Sequence, residues 1–213
     1  MSVELLNIDC MEYMRDLEDD AFDLAIVDPP YFVDAAMAYY FRSGLAQPTQ
    51  TTPIKNWKIP DKDYFIELAR VSKNQIIWGA NYFANDIPRV SPSWIVWDKE
   101  TSGEFSDCEL AMVSFEKRVR KIKFRWNGMI QQNMEKKEIR IHPTQKPMQL
   151  YRWILENYAK PGQRILDTHL GSGSSAIAAH YFGCDFVGCE IDRDYYEAAC
   201  KRFDDETRQI AMF

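Results

Sequence analysis

Residues 28–31 read Asp-Pro-Pro-Tyr, inside the stretch FDLAIVDPPYFVDAA. Asp28 supplies a hydrogen-bond acceptor and Tyr31 a flat aromatic face. Pro29 and Pro30 supply carbonyls whose directions are held by a ring-locked backbone. Proline lacks the N–H that a sheet ladder needs, so the apolar run Leu24–Val27 must end here as a strand tip. A rigid turn accounts for the two prolines. A site that aims an acid and a carbonyl at one polar group, beside an aromatic ring, accounts for all four residues.

The second chemically informative stretch is RILDTHLGSGSSAIAAHYFGCDFVGCEID, residues 164–192. A predicted strand ends at Asp167. A turn follows with Gly171, Ser172 and Gly173, then an Ala-rich helix from Ser174, then a second strand that runs into Glu190. This is the chemistry of a nucleotide site. Glycines let the backbone approach a ligand, and the helix opens with unpaired N–H groups. An acid at the next strand tip accepts hydrogen bonds from ribose hydroxyls. Two other readings compete, a tight turn with no ligand and a dinucleotide oxidoreductase. Gly171, Gly173 and Ala176 satisfy the GxGxxG/A spacing of the latter. Position weighs against the oxidoreductase, because the remaining chain has room for one more strand unit. The rest of the sheet must come from the N-terminal side.

Short apolar runs bounded by turn residues predict strands at Val3–Ile8, Asp23–Val27, Gln75–Trp78, Trp94–Trp97, Leu110–Phe115, Arg164–Leu166 and Asp185–Cys189. Helical periodicity predicts helices at Asp61–Val71, Pro147–Tyr158, Ser174–Phe182 and Arg193–Phe203. The alternation argues an α/β fold with a mostly parallel sheet. Ile122, Phe124 and Trp126 alternate with Lys123 and Arg125, which predicts a strand with one charged face. Residues 34–60 are polar and proline-broken, and read as a long loop, either a functional lid or binding segment or a disordered one.

The chain has 213 residues, 46% hydrophobic and 27% charged, which suits one globular domain. No apolar stretch approaches the roughly 20 residues of a membrane helix, and MSVELLNIDCMEYM lacks the features of a signal peptide. Five cysteines without a CxxC spacing read as reduced thiols, and three scattered histidines give no metal site. Reduced thiols are expected in a cytosol. Net charge is −6, but residues 117–146 hold ten Lys/Arg and two Asp/Glu. Polyanion binding follows the local field more than the total. Lys117, Arg118, Arg120, Lys121, Lys123 and Arg125 are therefore candidate phosphate contacts, with a solvated strand face as the alternative.

Asp28-Pro29-Pro30-Tyr31 and the later glycine loop together resemble the S-adenosylmethionine-dependent amino-methyltransferases of DNA, which carry [DNS]-P-P-[YFW] and a Gly-rich cofactor loop. The order of the two motifs resembles the permuted β group of that family. HPTQKP, residues 142–147, agrees with it. QIIWGANYF and WIVWDKETSG resemble bacteriophage or prophage members. The resemblance departs at the loop, usually D-P-F-x-G-S-G-T. Thr168 and His169 stand at the Pro and Phe positions, and Ser174 at the Thr position.

The resemblance implies a Rossmann-like methyltransferase fold in permuted motif order, a mostly parallel twisted sheet with helices on both faces. It implies a single domain over residues 1–213, with 34–60 and 117–141 as target-contact segments. The implied cofactor is S-adenosylmethionine, held by Asp9, Cys10, Lys146, Asp167, Thr168, Gly171, Ser172, Gly173, Ser174 and Glu190. Of these, Glu190 would hold the ribose, Asp9 the adenine amino group and Lys146 the methionine carboxylate. Asp9 equally reads as a helix cap, and Lys146 as an exposed lysine before a proline-started helix. The implied catalytic residues are Asp28, Pro29, Pro30 and Tyr31. The implied reaction is methylation of an exocyclic amino group in DNA. An initial Asp favours adenine N6 over cytosine N4. A homodimer or a partner subunit is the expected source of further DNA contacts.

Overall fold

The computed structural model describes residues 1–31, 58–100, 106–127 and 130–208. Most of the expected loop at 34–60 and part of the segment 117–141 lie outside the described residues. Two compact units are distinguished: Met1–Asp28 with Glu67–Ile76 and Arg140–Phe213, and Pro29–Ile66 with Ile77–Ile139.

In the first unit the strands are β1 (Val3–Leu6), β2 (Leu24–Val27), β9 (Arg164–Asp167) and β10 (Asp185–Cys189), with the first half of β3 (Gln75–Trp78). Their order is β1-β10-β9-β2, followed by β3. The pairs β1/β10, β10/β9 and β2/β9 are all parallel. The N-terminal strand thus lies beyond the last strand, so both ends of the chain build the sheet around the glycine loop. That arrangement is the structural form of the permuted motif order. β2 is buried at every residue and β10 at all but its first, which explains their continuous apolar runs.

The helices of this unit follow from local signals. α1 (Cys10–Arg15) is a six-residue helix absent from the predicted elements, and Asp9 caps it by accepting from the Met11 N–H at 2.7 Å. α2 (Lys62–Val71) matches its periodicity from one residue later than expected. Within this unit Arg70 reaches back to α1, donating to the carbonyls of Met14 and Leu17 at 2.7 Å each. α3 (Met148–Tyr158) starts after Pro147, where a missing N–H costs nothing. α4 (Ser174–Phe182) runs between two left-handed glycines, Gly173 and Gly183, and buries its first six residues. α5 (Arg193–Arg208) extends five residues past the predicted end, because its later turns carry polar helix formers and exposed i,i+4 ion pairs such as Lys201–Asp205.

The second unit holds the end of β3, then β5 (Cys108–Val113), β4 (Ser93–Asp98) and β6 (Val119–Lys123) in that order, and a small hairpin of β7 (Trp126–Asn127) and β8 (Ile130–Gln131). β4 is antiparallel to β5 and parallel to β6. Trp78 and Trp97 fill its core edge-to-face at 6.1 Å. The predicted charged strand stops at Lys123 instead of continuing to Trp126. The Phe124 N–H makes the last bond of the parallel ladder, to the Asp98 carbonyl, and the Phe124 carbonyl accepts from the Trp97 indole instead of from a strand.

Candidate active site

Asp167 ends β9 almost completely buried, at 1% exposure. Ser175 Oγ donates to its Oδ2 at 2.6 Å and the His169 N–H donates to its Oδ1 at 3.0 Å. Burial pushes its pKa up to about 7, and the charges of Asp28 and Glu190 push the same way. Thr168 Oγ1 lies 2.9 Å from His169 Nδ1. Burial lowers the His169 pKa to about 4, so the imidazole is neutral and packs as a flat ring.

The turn that follows is built from backbone. Gly171 and Gly173 have φ of 53° and 73°, the left-handed region that favours glycine. The Leu170 N–H donates to the Cys189 carbonyl, which fastens the turn to the end of β10. A Cβ at Gly173 would come within 3.4 Å of Ala199 Cβ on α5. Ser172 and Ser174 hydroxyls are 3.1 Å apart, and Arg202 on α5 donates to the Ser172 carbonyl at 2.9 Å and to Ser174 Oγ at 2.8 Å.

Glu190 closes this cradle. Its Oε2 accepts from the Gly171 N–H and its Oε1 from the Asp192 N–H, both at 2.9 Å. Burial raises its pKa, against those backbone donors. A carboxylate offers about four acceptor positions, so Glu190 is aimed by the backbone and keeps capacity for a diol. Asp9 is exposed and serves as the α1 cap. The neighbouring Cys10 thiol is pushed up to about 12 by burial and by the Asp9 charge, which keeps it protonated.

The HPTQKP turn links this cradle to the Asp-Pro-Pro-Tyr tip. His142 sits against Gly171, with ring atoms 3.5 Å from where a glycine Cβ would be, and meets Tyr195 edge-on at 4.4 Å. Burial lowers its pKa to about 3, so it too is neutral. Four residues on, Lys146 is 6% exposed and its ammonium donates to Asp28 Oδ2. Lys146, expected beside a cofactor carboxylate, is thus ion-paired with the acid of the strand tip. A buried pair of this kind holds both side chains in fixed positions.

In the second unit Tyr31 stacks on Tyr82, with centroids 4.6 Å apart and planes within 7°. Phe83 meets the Tyr31 ring edge-on at 6.5 Å. Gly79, at φ 66°, lies against the same ring, since a Cβ there would be 2.6 Å from Tyr31 Cδ1. Pro29 and Pro30 join Asp28 to Tyr31 along the chain. Among the basic residues, Lys121 pairs with Asp98 at 2.8 Å, Lys123 with Glu100 at 3.5 Å and Arg118 with Glu116 at 2.8 Å. Lys117 and Arg125 are exposed and Arg120 is half-buried.

Sequence reasoning missed Ser175, His142, Arg202, Gly79 and Tyr82 as members of this constellation. His142 carried a signal, because HPTQKP is itself a motif. Ser175 reaches Asp167 only eight residues back, while Arg202, Gly79 and Tyr82 acquire partners from distant segments.

The order of the strands, the glycine cradle at a strand tip and the following acid define a Rossmann-like α/β domain of the methyltransferase type. Solved structures share this architecture. The M1.HpyAVI–SAM complex aligns with a TM-score of 0.60 over 94% of this chain and 99% of that one, at 20% identity. The cytosine-N4-specific PvuII DNA methyltransferase aligns with a TM-score of 0.62 over 99% and 93%, at 11% identity. The type II methyltransferase M2.DpnII of Streptococcus pneumoniae is 36% identical over 81 residues, 38% of this chain and 30% of that protein. Residues 96–201 match the model of the N6/N4 DNA methylase family.

Proposed function

We propose that this chain transfers a methyl group from S-adenosylmethionine to the N6 amino group of adenine in DNA. One observation carries the reading: a single short turn places His142 on the cofactor-type glycine loop and Lys146 on Asp28 of Asp-Pro-Pro-Tyr. The residues fit the cofactor. Gly171 and Gly173 open the backbone, Glu190 is oriented for a ribose, and Ser172 and Ser174 line the start of α4. When bound, S-adenosylmethionine supplies an electrophilic methyl group on a sulfonium.

The chain's own residues prepare the other reactant. An exocyclic amino nitrogen is a poor nucleophile, because its lone pair is delocalised into the ring. Asp28 accepts a hydrogen bond from one N–H and the carbonyl of Pro29 accepts from the other, which favours a tetrahedral nitrogen. Lys146 holds Asp28 in place for this. Tyr31 offers a ring for the base, which must leave the duplex stack to reach the site. Gly171, Ser172, Gly173 and Glu190 would hold the cofactor whose methyl group that nitrogen takes, and a neutral thioether leaves. The cationic amine then loses its proton to water by way of Asp28.

Asp at the first motif position supports adenine over cytosine. The basic residues from Lys117 to Arg125 are assigned to phosphate contact, with their acidic partners exchanged for phosphate on binding. Further contacts are assigned to a homodimer or a partner subunit, in the cytoplasm of a bacterial or phage-infected cell. The test is to incubate the protein with labelled methyl donor and duplex DNA, digest, and identify nucleosides by mass spectrometry. N6-methyladenine is expected. N4-methylcytosine reassigns the base. Methylated RNA or protein without a DNA product refutes the substrate, and no transfer to any acceptor, with cofactor binding intact, leaves a cofactor-binding subunit.

A further inference from the structure

Tyr31 packs against backbone and a buried ring, and Tyr82 keeps half of its surface exposed. Tyr31 lies against the backbone of Gly79, in space that any side chain there would fill. It also meets Phe83, which is buried and packs on Phe65 with centroids 5.1 Å apart. Tyr82 stands on a single 3-10 turn, Ala80–Tyr82, and its residue is 50% exposed. Its neighbours Ala80 and Phe83 are 1% and 2% exposed. The turn is therefore anchored on both sides of Tyr82, which itself stays half exposed. That ring lies parallel to Tyr31 at 4.6 Å, the geometry a stacked base would adopt.

We propose that Tyr82 is a positioning residue for the target base: its ring covers the stacking face of Tyr31 in the base-free protein and yields that face when the base arrives. The proposal rests on the reading of Tyr31 as the platform for the base. A covered platform is protected from water and from non-specific aromatic ligands. The competition also sets a threshold that an arriving base must exceed. The ring pair and the incoming base make the same kind of contact, so the exchange is nearly balanced, and Tyr82 tunes affinity for the base instead of supplying it.

The test compares affinity for single-stranded oligo(dA) with affinity for an abasic oligonucleotide of equal length, by anisotropy, so that no recognition site need be known. The ratio of the two isolates the base from the phosphates. An aromatic pair is worth about 0.5–1.5 kcal/mol, so Tyr82→Ala should raise the ratio about two- to twelvefold. Tyr82→Phe keeps the ring and should restore the wild-type ratio. An unchanged or lowered ratio in Tyr82→Ala, with Tyr31→Ala collapsing it, overturns the role of Tyr82 alone. A ratio that survives Tyr31→Ala shows instead that Tyr31 is not the platform. Thermal melts of each variant confirm folding, and a merely structural Tyr82 would shift the melts without moving the ratio.

Discussion

Replacing Lys146 with methionine tests the pair at the centre of the site. The Lys146 and Asp28 side chains are 5% and 14% exposed and ion-paired. Methionine keeps the volume of the lysine stem and removes the charge, so a desolvated Asp28 loses its ammonium partner. Breaking a buried pair from one side costs about 3–5 kcal/mol, and the residual exposure of Asp28 puts the expectation near the lower end, about 3 kcal/mol. That is a large share of the roughly 5–15 kcal/mol by which folded domains are stable. Asp28→Asn should cost a similar amount by stranding the ammonium. The double variant Asp28→Asn with Lys146→Met removes both charges and should cost no more than about 1 kcal/mol, which against two single costs of about 3 is a coupling of about 5 kcal/mol. Urea unfolding followed by circular dichroism measures all four proteins. A cost below about 1 kcal/mol for Lys146→Met, the range of a surface pair, or a double variant no better than the singles, would refute the idea that this buried pair organises the strand tip.

Three further outcomes are expected. Asp167 has a folded pKa of about 7 against an ordinary 3.8, so the folded state keeps a proton that the unfolded state releases, and stability falls as pH rises through that window. Asp167→Asn removes this loss, and its advantage over the wild type should grow to the order of 2–4 kcal/mol by slightly alkaline pH; parallel denaturation curves across that range would contradict it. Arg202→Ala removes two hydrogen bonds to the glycine loop. It should weaken S-adenosylmethionine binding about tenfold by calorimetry, since a charged hydrogen bond is worth about 1.5–3 kcal/mol; unaltered affinity would separate α5 from the cradle. Neutralising Lys121, Lys123 and Arg125 should flatten the salt dependence of DNA binding by at most about 2.7 in log–log slope, and by less to the extent that Asp98 and Glu100 already neutralise two of them; an unchanged slope would place the phosphates elsewhere.

The site was legible where residues constrain their own backbone. Pro29 and Pro30 end β2 whatever surrounds them, and Gly171 and Gly173 permit a turn that other residues resist. Asp9 before α1 was legible as one of two readings, and the cap is the one the structure displays. The helix behind it escaped because six residues carry too little periodicity to stand out. The strand through Trp126 was overdrawn because alternation persists in the sequence after the ladder ends. The indole of Trp97, which takes the Phe124 carbonyl where the ladder ends, comes from another strand.

What the sequence determined by itself is therefore local: the alternation of strand and helix, the stiff tip at Asp28, the open loop at Gly171–Gly173, and their order along the chain. The tertiary structure alone decided which side chains meet. Lys146 finds Asp28 across 118 residues, and Arg202 finds Ser172 across 30. The physical reason is that proline and glycine act through covalent geometry, which needs no neighbours. An ion pair, a buried carboxylate or a ring stack acquires its energy only when the parallel strands close around it, bring distant residues together and exclude water.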